Sequence, residues 1–185
     1  LGGFNRVKAK YVKVVELKPG DPMPEESQIE TFLNLHIKLP PQKTLKVKST
    51  KTPITIVGDY NVDEVKNRTG KITIHNSNSK DTKITNWSGT TEIDNCNIEH
   101  LSLSAPAGSI TVKNSTIKKL KTKTDSGLTI LENLNFLPGG EFEAETVSDL
   151  ISIKDSNILK AETKAIRRPK IKVCKRQYYW QEIEK

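Results

Sequence analysis

The chain has 185 residues, of which 34% are hydrophobic, 5% aromatic and 28% charged, and its formal net charge is +8. That length suits one domain, the Ile, Val, Leu and Thr content is too high for a disordered chain, and no apolar run approaches the roughly 18 residues of a membrane span. Two cysteines and three histidines exclude a disulfide-stapled mini-fold and the conventional zinc motifs.

Residues 1–44 read as strands and loops. The first residue is Leu1 rather than Met, so an upstream segment is expected, a removed signal peptide among the options. A strand is expected over 6–15. Pro19, Pro22 and Pro24 then fix φ and remove donors, which makes 19–24 a loop, and a short helical turn fits 24–28. Ile29, Thr31, Leu33, Leu35, Ile37 and Leu39 alternate strictly, giving a long strand that ends at Pro40 and Pro41.

From residue 45 the sequence repeats itself. Gly70, Gly89, Gly108 and Gly127 stand 19 residues apart, and so do Asn76, Asn95, Asn114 and Asn133. Each glycine precedes a run with inward positions two residues apart: Ile72/Ile74, Thr91/Ile93, Ile110/Val112 and Thr129/Leu131. The register extends upstream to Ile54/Ile56. Downstream it reaches Ile151/Ile153 after a 22-residue copy, with Asp155 in the asparagine slot, and Ile171/Val173 after 20 more. A second alternating stretch ends each copy and places Val47, Val65, Ile84, Leu103, Thr122 and Ala144 in one row.

Period two means strands, and β-branched residues pack well on a pleated surface. One copy cannot bury its inner face alone, so the copies must stack. The expected fold is therefore all-β: a single-stranded parallel β-helix, or β-solenoid, of about seven coils with 19 residues in each. It should occupy 45–176, behind N-terminal cap strands at 1–44 and before an aromatic cap or tail at 177–185. The equally spaced asparagines are read as corners, where Asn accepts left-handed angles and its amide bonds the next coil. The glycines at the opposite corner are read the same way, as positions needing glycine's backbone freedom.

The basic balance raises a polyanion reading, centred on the run from Lys118 to Lys123. Alternation turns Lys119, Lys121 and Lys123 outward, and aligning coil ends sets them beside Glu141, Glu143 and Glu145, with Lys160, Glu162 and Lys164 next in the same rows. Opposite charges on neighbouring strands pin the register, so this run is expected to be a neutralised sheet face. The basic and aromatic residues that remain are Arg167, Arg168, Lys170, Lys172, Lys175, Arg176, Tyr178, Tyr179 and Trp180. They could meet a polyanion or a protein or glycan partner, or cap the last coil, and the two roles are compatible. Nucleic acid is not the expected partner.

Cys96 and Cys174 lie four coils apart, roughly 19 Å at the ~4.8 Å strand spacing, too far for a disulfide. His36, His75 and His100 share no ligand-like spacing, so no metal site and no cofactor is expected. No Ser/His/Asp set or nucleophile elbow emerges. Asp59, Asp63 and Glu64 could suggest the paired carboxylates of glycan cleavage, but are read as loop acids near a corner.

The Gly-x-Ile-x-Ile-x-Asn units, following a strand that holds Leu35-His-Ile-Lys-Leu-Pro40, resemble the bacterial adhesin-like β-solenoid proteins of the head-GIN type over about 45–175. The resemblance implies a periplasmic, secreted or surface protein without enzymatic residues. The 22-residue coil and the basic C-terminus depart from that pattern. The expected function is a non-enzymatic binding or scaffold protein at the bacterial envelope. Its rivals are a bactofilin-like cytoskeletal assembly protein of the cytoplasm and a polysaccharide-active β-helix enzyme.

Overall fold

A computed structural model describes residues 41–42, 44–147, 150–158, 160–165 and 170–174, with 163–165 and 170–174 as backbone alone. The strands expected over 6–15 and 29–39, the turn at 24–28 and the tail at 177–185 lie outside the described residues.

The period-two pattern resolves into strands numbered here in chain order. One sheet takes the odd strands β1 (Thr44–Lys48), β3 (Asn61–Asn67), β5 (Asn78–Asn86), β7 (Asn97–Ser104), β9 (Thr116–Thr124), β11 (Asn135–Thr146) and β13 (Ala161–Ala165), in that order. The other takes the even strands β2 (Ile54–Val57), β4 (Ile72–His75), β6 (Thr91–Asp94), β8 (Ile110–Lys113), β10 (Leu128–Glu132), β12 (Leu150–Lys154) and β14 (Lys170–Cys174). The pairs are parallel, and a residue lies beside the one a coil further on: Ile93 beside Val112, Leu103 beside Thr122. This is an all-β parallel solenoid, and no helix occurs among the described residues.

The core lies between the two sheets and is built from the expected rows. Ile72, Ile74, Ile93, Ile110, Val112 and Leu131 are fully buried on the even side, facing Val65, Ile84, Leu103, Thr122 and Ala144 on the odd side. Burying each aliphatic side chain stabilises by about 1.5–3 kcal/mol. Thr82 fits among them because its hydroxyl donates to the Val62 carbonyl, 2.7 Å away, whereas the buried Thr129 hydroxyl has no hydrogen-bond partner among the described residues.

Asn76, Asn95, Asn114, Asn133 and Asp155 all have φ between 47° and 57°, so the corner reading holds. Asn95 donates to Asn76 Oδ1 at 2.7 Å and Asn133 to Asn114 Oδ1 at 2.8 Å, while Asn114 donates to Asp94 Oδ1 at 2.8 Å. Where a serine follows the corner it ties coils together as well. Ser115 Oγ accepts from the Cys96 amide at 3.1 Å and donates to the Lys113 carbonyl at 2.6 Å, and Ser156 repeats the pattern with Leu134 and Lys154.

The glycine reading needs correction. Among the described glycines only Gly58 and Gly139 have positive φ, and the four equally spaced glycines do not. They are glycine because the coils touch there. A Cβ on Gly89, Gly108 or Gly127 would overlap the carbonyl oxygen of the glycine one coil earlier. Beside this stack, Asn67 and Asn86 are buried at the ends of β3 and β5. Asn67 Nδ2 donates to the Thr52 carbonyl at 2.9 Å and Asn86 Nδ2 to the Gly70 carbonyl at 3.0 Å.

The long coil is absorbed inside β11. Register against β9 runs through Phe136 beside Ile117, breaks over Leu137-Pro-Gly-Gly140, and resumes with Glu141 beside Lys119.

Candidate binding groove on the odd-strand sheet

The outward residues of β1, β3, β5, β7, β9 and β11 form rows up the stack wherever neighbouring strands hold register, with shifts only at Leu45/Lys46 and at Phe136/Glu141. One row carries Asp81, His100, Lys119 and Glu141, and the next carries Lys46, Glu64, Lys83, Ser102, Lys121 and Glu143. Between them lies a shallow groove of about 500 Å³, lined by the first row, by Lys83, Ser102, Lys121 and Glu143 of the second and by Asp63, and floored by Thr82, Leu101 and Leu120.

The expected charge pairs form. Lys119 reaches Glu141 at 3.4 Å, Lys121 reaches Glu143 at 3.0 Å and Lys123 reaches Glu145 at 2.8 Å. Lys160 closes on Glu141 from the other side at 3.1 Å. Hydrogen bonds from Lys160 and Lys119 hold the Glu141 carboxyl below the usual carboxylate range. On the even-strand sheet Lys154 and Lys113 do the same to Glu132, at 3.0 and 3.1 Å.

Asp63 and Glu64 are not loop acids. Both lie on β3, where Asp63 meets Lys46 at 2.9 Å and Glu64 is shared by Lys66 and Lys48. The Lys66 hydrogen bond lowers the Glu64 pKa. His100 donates Nδ1–H to Asp81 at 2.8 Å, and His75 stands 3.5 Å from Asp94. Cys96 is a buried free thiol whose pKa burial pushes up. Among the described residues, no group of three or more His, Cys, Asp or Glu side chains is placed to hold a metal ion. No described helix is long and apolar enough to cross a membrane.

Of the basic-aromatic cluster expected at the C-terminus, Lys170 and Lys172 lie on β14, described by backbone alone. Arg167, Arg168, Lys175, Arg176, Tyr178, Tyr179 and Trp180 are outside the described residues. The groove itself went unseen in the sequence. Its signal was there in the rows: Lys83 and Ser102 occupy the same row as Lys121 and Glu143. Trp87 was also missed; it is 59% exposed, at the corner after β5.

Two seven-stranded parallel sheets wound from coils of near-constant length define a β-solenoid. The chain belongs to the Toastrack DUF4097 family, whose family model matches residues 25–164, about three quarters of its length. No curated protein and no solved structure matches it.

Proposed function

We propose that this solenoid is a non-enzymatic scaffold or binding module, adhesin-like in the head-GIN sense, working outside the cytoplasm at a bacterial envelope or surface. The outer face of the odd-strand sheet is its contact face. One observation carries the reading: the ionic side chains on the outer faces are joined coil to coil in chains such as Lys119–Glu141–Lys160 and Lys113–Glu132–Lys154. A carboxylate clamped between two ammonium groups stays ionised in mild acid, so it is poorly suited to donate a proton to a glycosidic oxygen. The same clamps stiffen the face, which lowers the entropy cost of binding a partner across it. Trp87 adds an aromatic surface on a fixed corner.

The test is an array of glycans and matrix proteins probed with the purified chain, run beside an assay for newly formed reducing ends. The reading expects retention on some surface and no cleavage. Release of sugar fragments would replace it with the enzyme reading. Fractionation of cells of the source organism tests the compartment, and a cytoplasmic protein would favour the assembly reading instead.

A further inference from the structure

From Lys46 to Glu143 the row Lys46, Glu64, Lys83, Ser102, Lys121, Glu143 alternates in charge at every position except Ser102; beyond it Glu143 stands beside a second acid, Glu162. Where the alternation calls for a carboxylate, Ser102 sets a hydroxyl between two lysines. The neighbours do not make good the missing charge. Glu64, the acid beside Lys83, is engaged by Lys66 and Lys48. Lys83 itself forms no ion pair among the described residues. Lys121 reaches Glu143 at 3.0 Å, on the side away from Ser102.

Lys83 and Lys121 are two strands apart, about 9.6 Å between backbones at the usual spacing. Two long, flexible ammonium side chains can close over that distance on one small anion seated above Ser102. The groove is open at this position, and Lys83, Ser102 and Lys121 all line it.

We infer that Lys83, Ser102 and Lys121 form a binding site for an oxyanion, a carboxylate, sulfate or phosphate group, which supplies the charge absent from the row. The Ser102 hydroxyl donates one hydrogen bond and each ammonium a charge-assisted one. The anion then does for Lys83 and Lys121 what Glu141 does for Lys119 and Lys160. This site deepens the reading of the sheet face as a contact surface and rests on it only where the oxyanion is carried by a larger ligand. Retention on the array through other residues would leave that reading standing while this one fell.

The experiment titrates the wild-type chain, Lys83→Ala and Ser102→Glu with sodium sulfate and with a sulfated oligosaccharide, at constant ionic strength. The readouts are the lysine ammonium and Ser102 amide resonances. Wild type should show saturable shifts at Lys83, Lys121 and Ser102. Lys83→Ala should bind about tenfold more weakly, the loss expected for one charge-assisted hydrogen bond. Ser102→Glu installs the missing acid, so it should abolish binding and melt higher than wild type without any ligand. Binding of free sulfate would identify a site for the ion itself; binding of the oligosaccharide alone, with the same dependence on both variants, would identify a site for a carried group. Either supports the inference. No saturable shift with either probe, equal binding by all three proteins, or a lower melting temperature for Ser102→Glu would overturn it.

Discussion

Gly108 lies so close to the coil before it that a methyl group would overlap the Gly89 carbonyl oxygen. Backbone on both sides prevents relaxation, because each glycine is held by the neighbouring coils. Replacing a glycine with alanine usually stabilises slightly when the backbone angles permit it. Here Gly108→Ala should cost about 1–3 kcal/mol, the range for overpacking, as measured by denaturant unfolding. Gly139 offers the contrast: nothing lies within 4 Å of its Cβ position, and only its φ of 74° opposes a side chain. The spacing of the four glycines was legible in the sequence, but their role was not. Periodicity marks a corner without saying whether the backbone turns or merely touches there. Asn67 and Asn86 were hidden for a similar reason, since a polar residue at the end of an alternating run looks like loop until its acceptors are known.

Between strands, the register was the most legible feature. Placing Lys119, Lys121 and Lys123 beside Glu141, Glu143 and Glu145 needed only alternation and coil length, because a slip of one residue would have turned every lysine into the core. Glu141→Lys should lower the melting temperature by a few degrees, since it faces Lys119 on one side and Lys160 on the other. Reversing Glu143 is a poorer probe, because Glu143 also stands beside Glu162. The vacancy at Ser102 was harder to see: it shows only when the whole row is assembled and each acid is assigned to the lysine that holds it.

The same pairs set a pH dependence. Hydrogen bonds from Lys66, Lys71, Lys154 and Lys160 hold Glu64, Glu92, Glu132 and Glu141 below the usual carboxylate range. In acid the unfolded chain therefore binds more protons than the folded one. Their contribution is complete above the unfolded glutamate value of about 4.3 and is lost as pH falls through the lower folded values. Lys46 and Lys123 are raised by Asp63 and Glu145, so their contribution is complete below about 10.4 and fades as pH rises through the folded values. Thermal melts should be flat between about pH 5 and 9 and fall on both sides, with a shallower acid limb in Glu141→Gln.

At the scale of the molecule, each coil contacts its neighbours and little else, so stability should grow by addition along the stack. The two-sheet solenoid was readable because nearly constant spacing leaves few other ways to bury the alternating rows. The contact face was not, since a face is defined by residues a coil apart. The solenoid requires paired strand residues to lie beside their counterparts one coil away. The most direct measurement is the set of interstrand Hα–HN contacts in the NMR spectrum of the isotope-labelled chain. The predicted result is contacts at a separation of 19 residues, as between Ile93 and Val112, changing to 22 across the insertion, as between Leu120 and Phe142. Contacts between sequence neighbours folded back as antiparallel hairpins would contradict it.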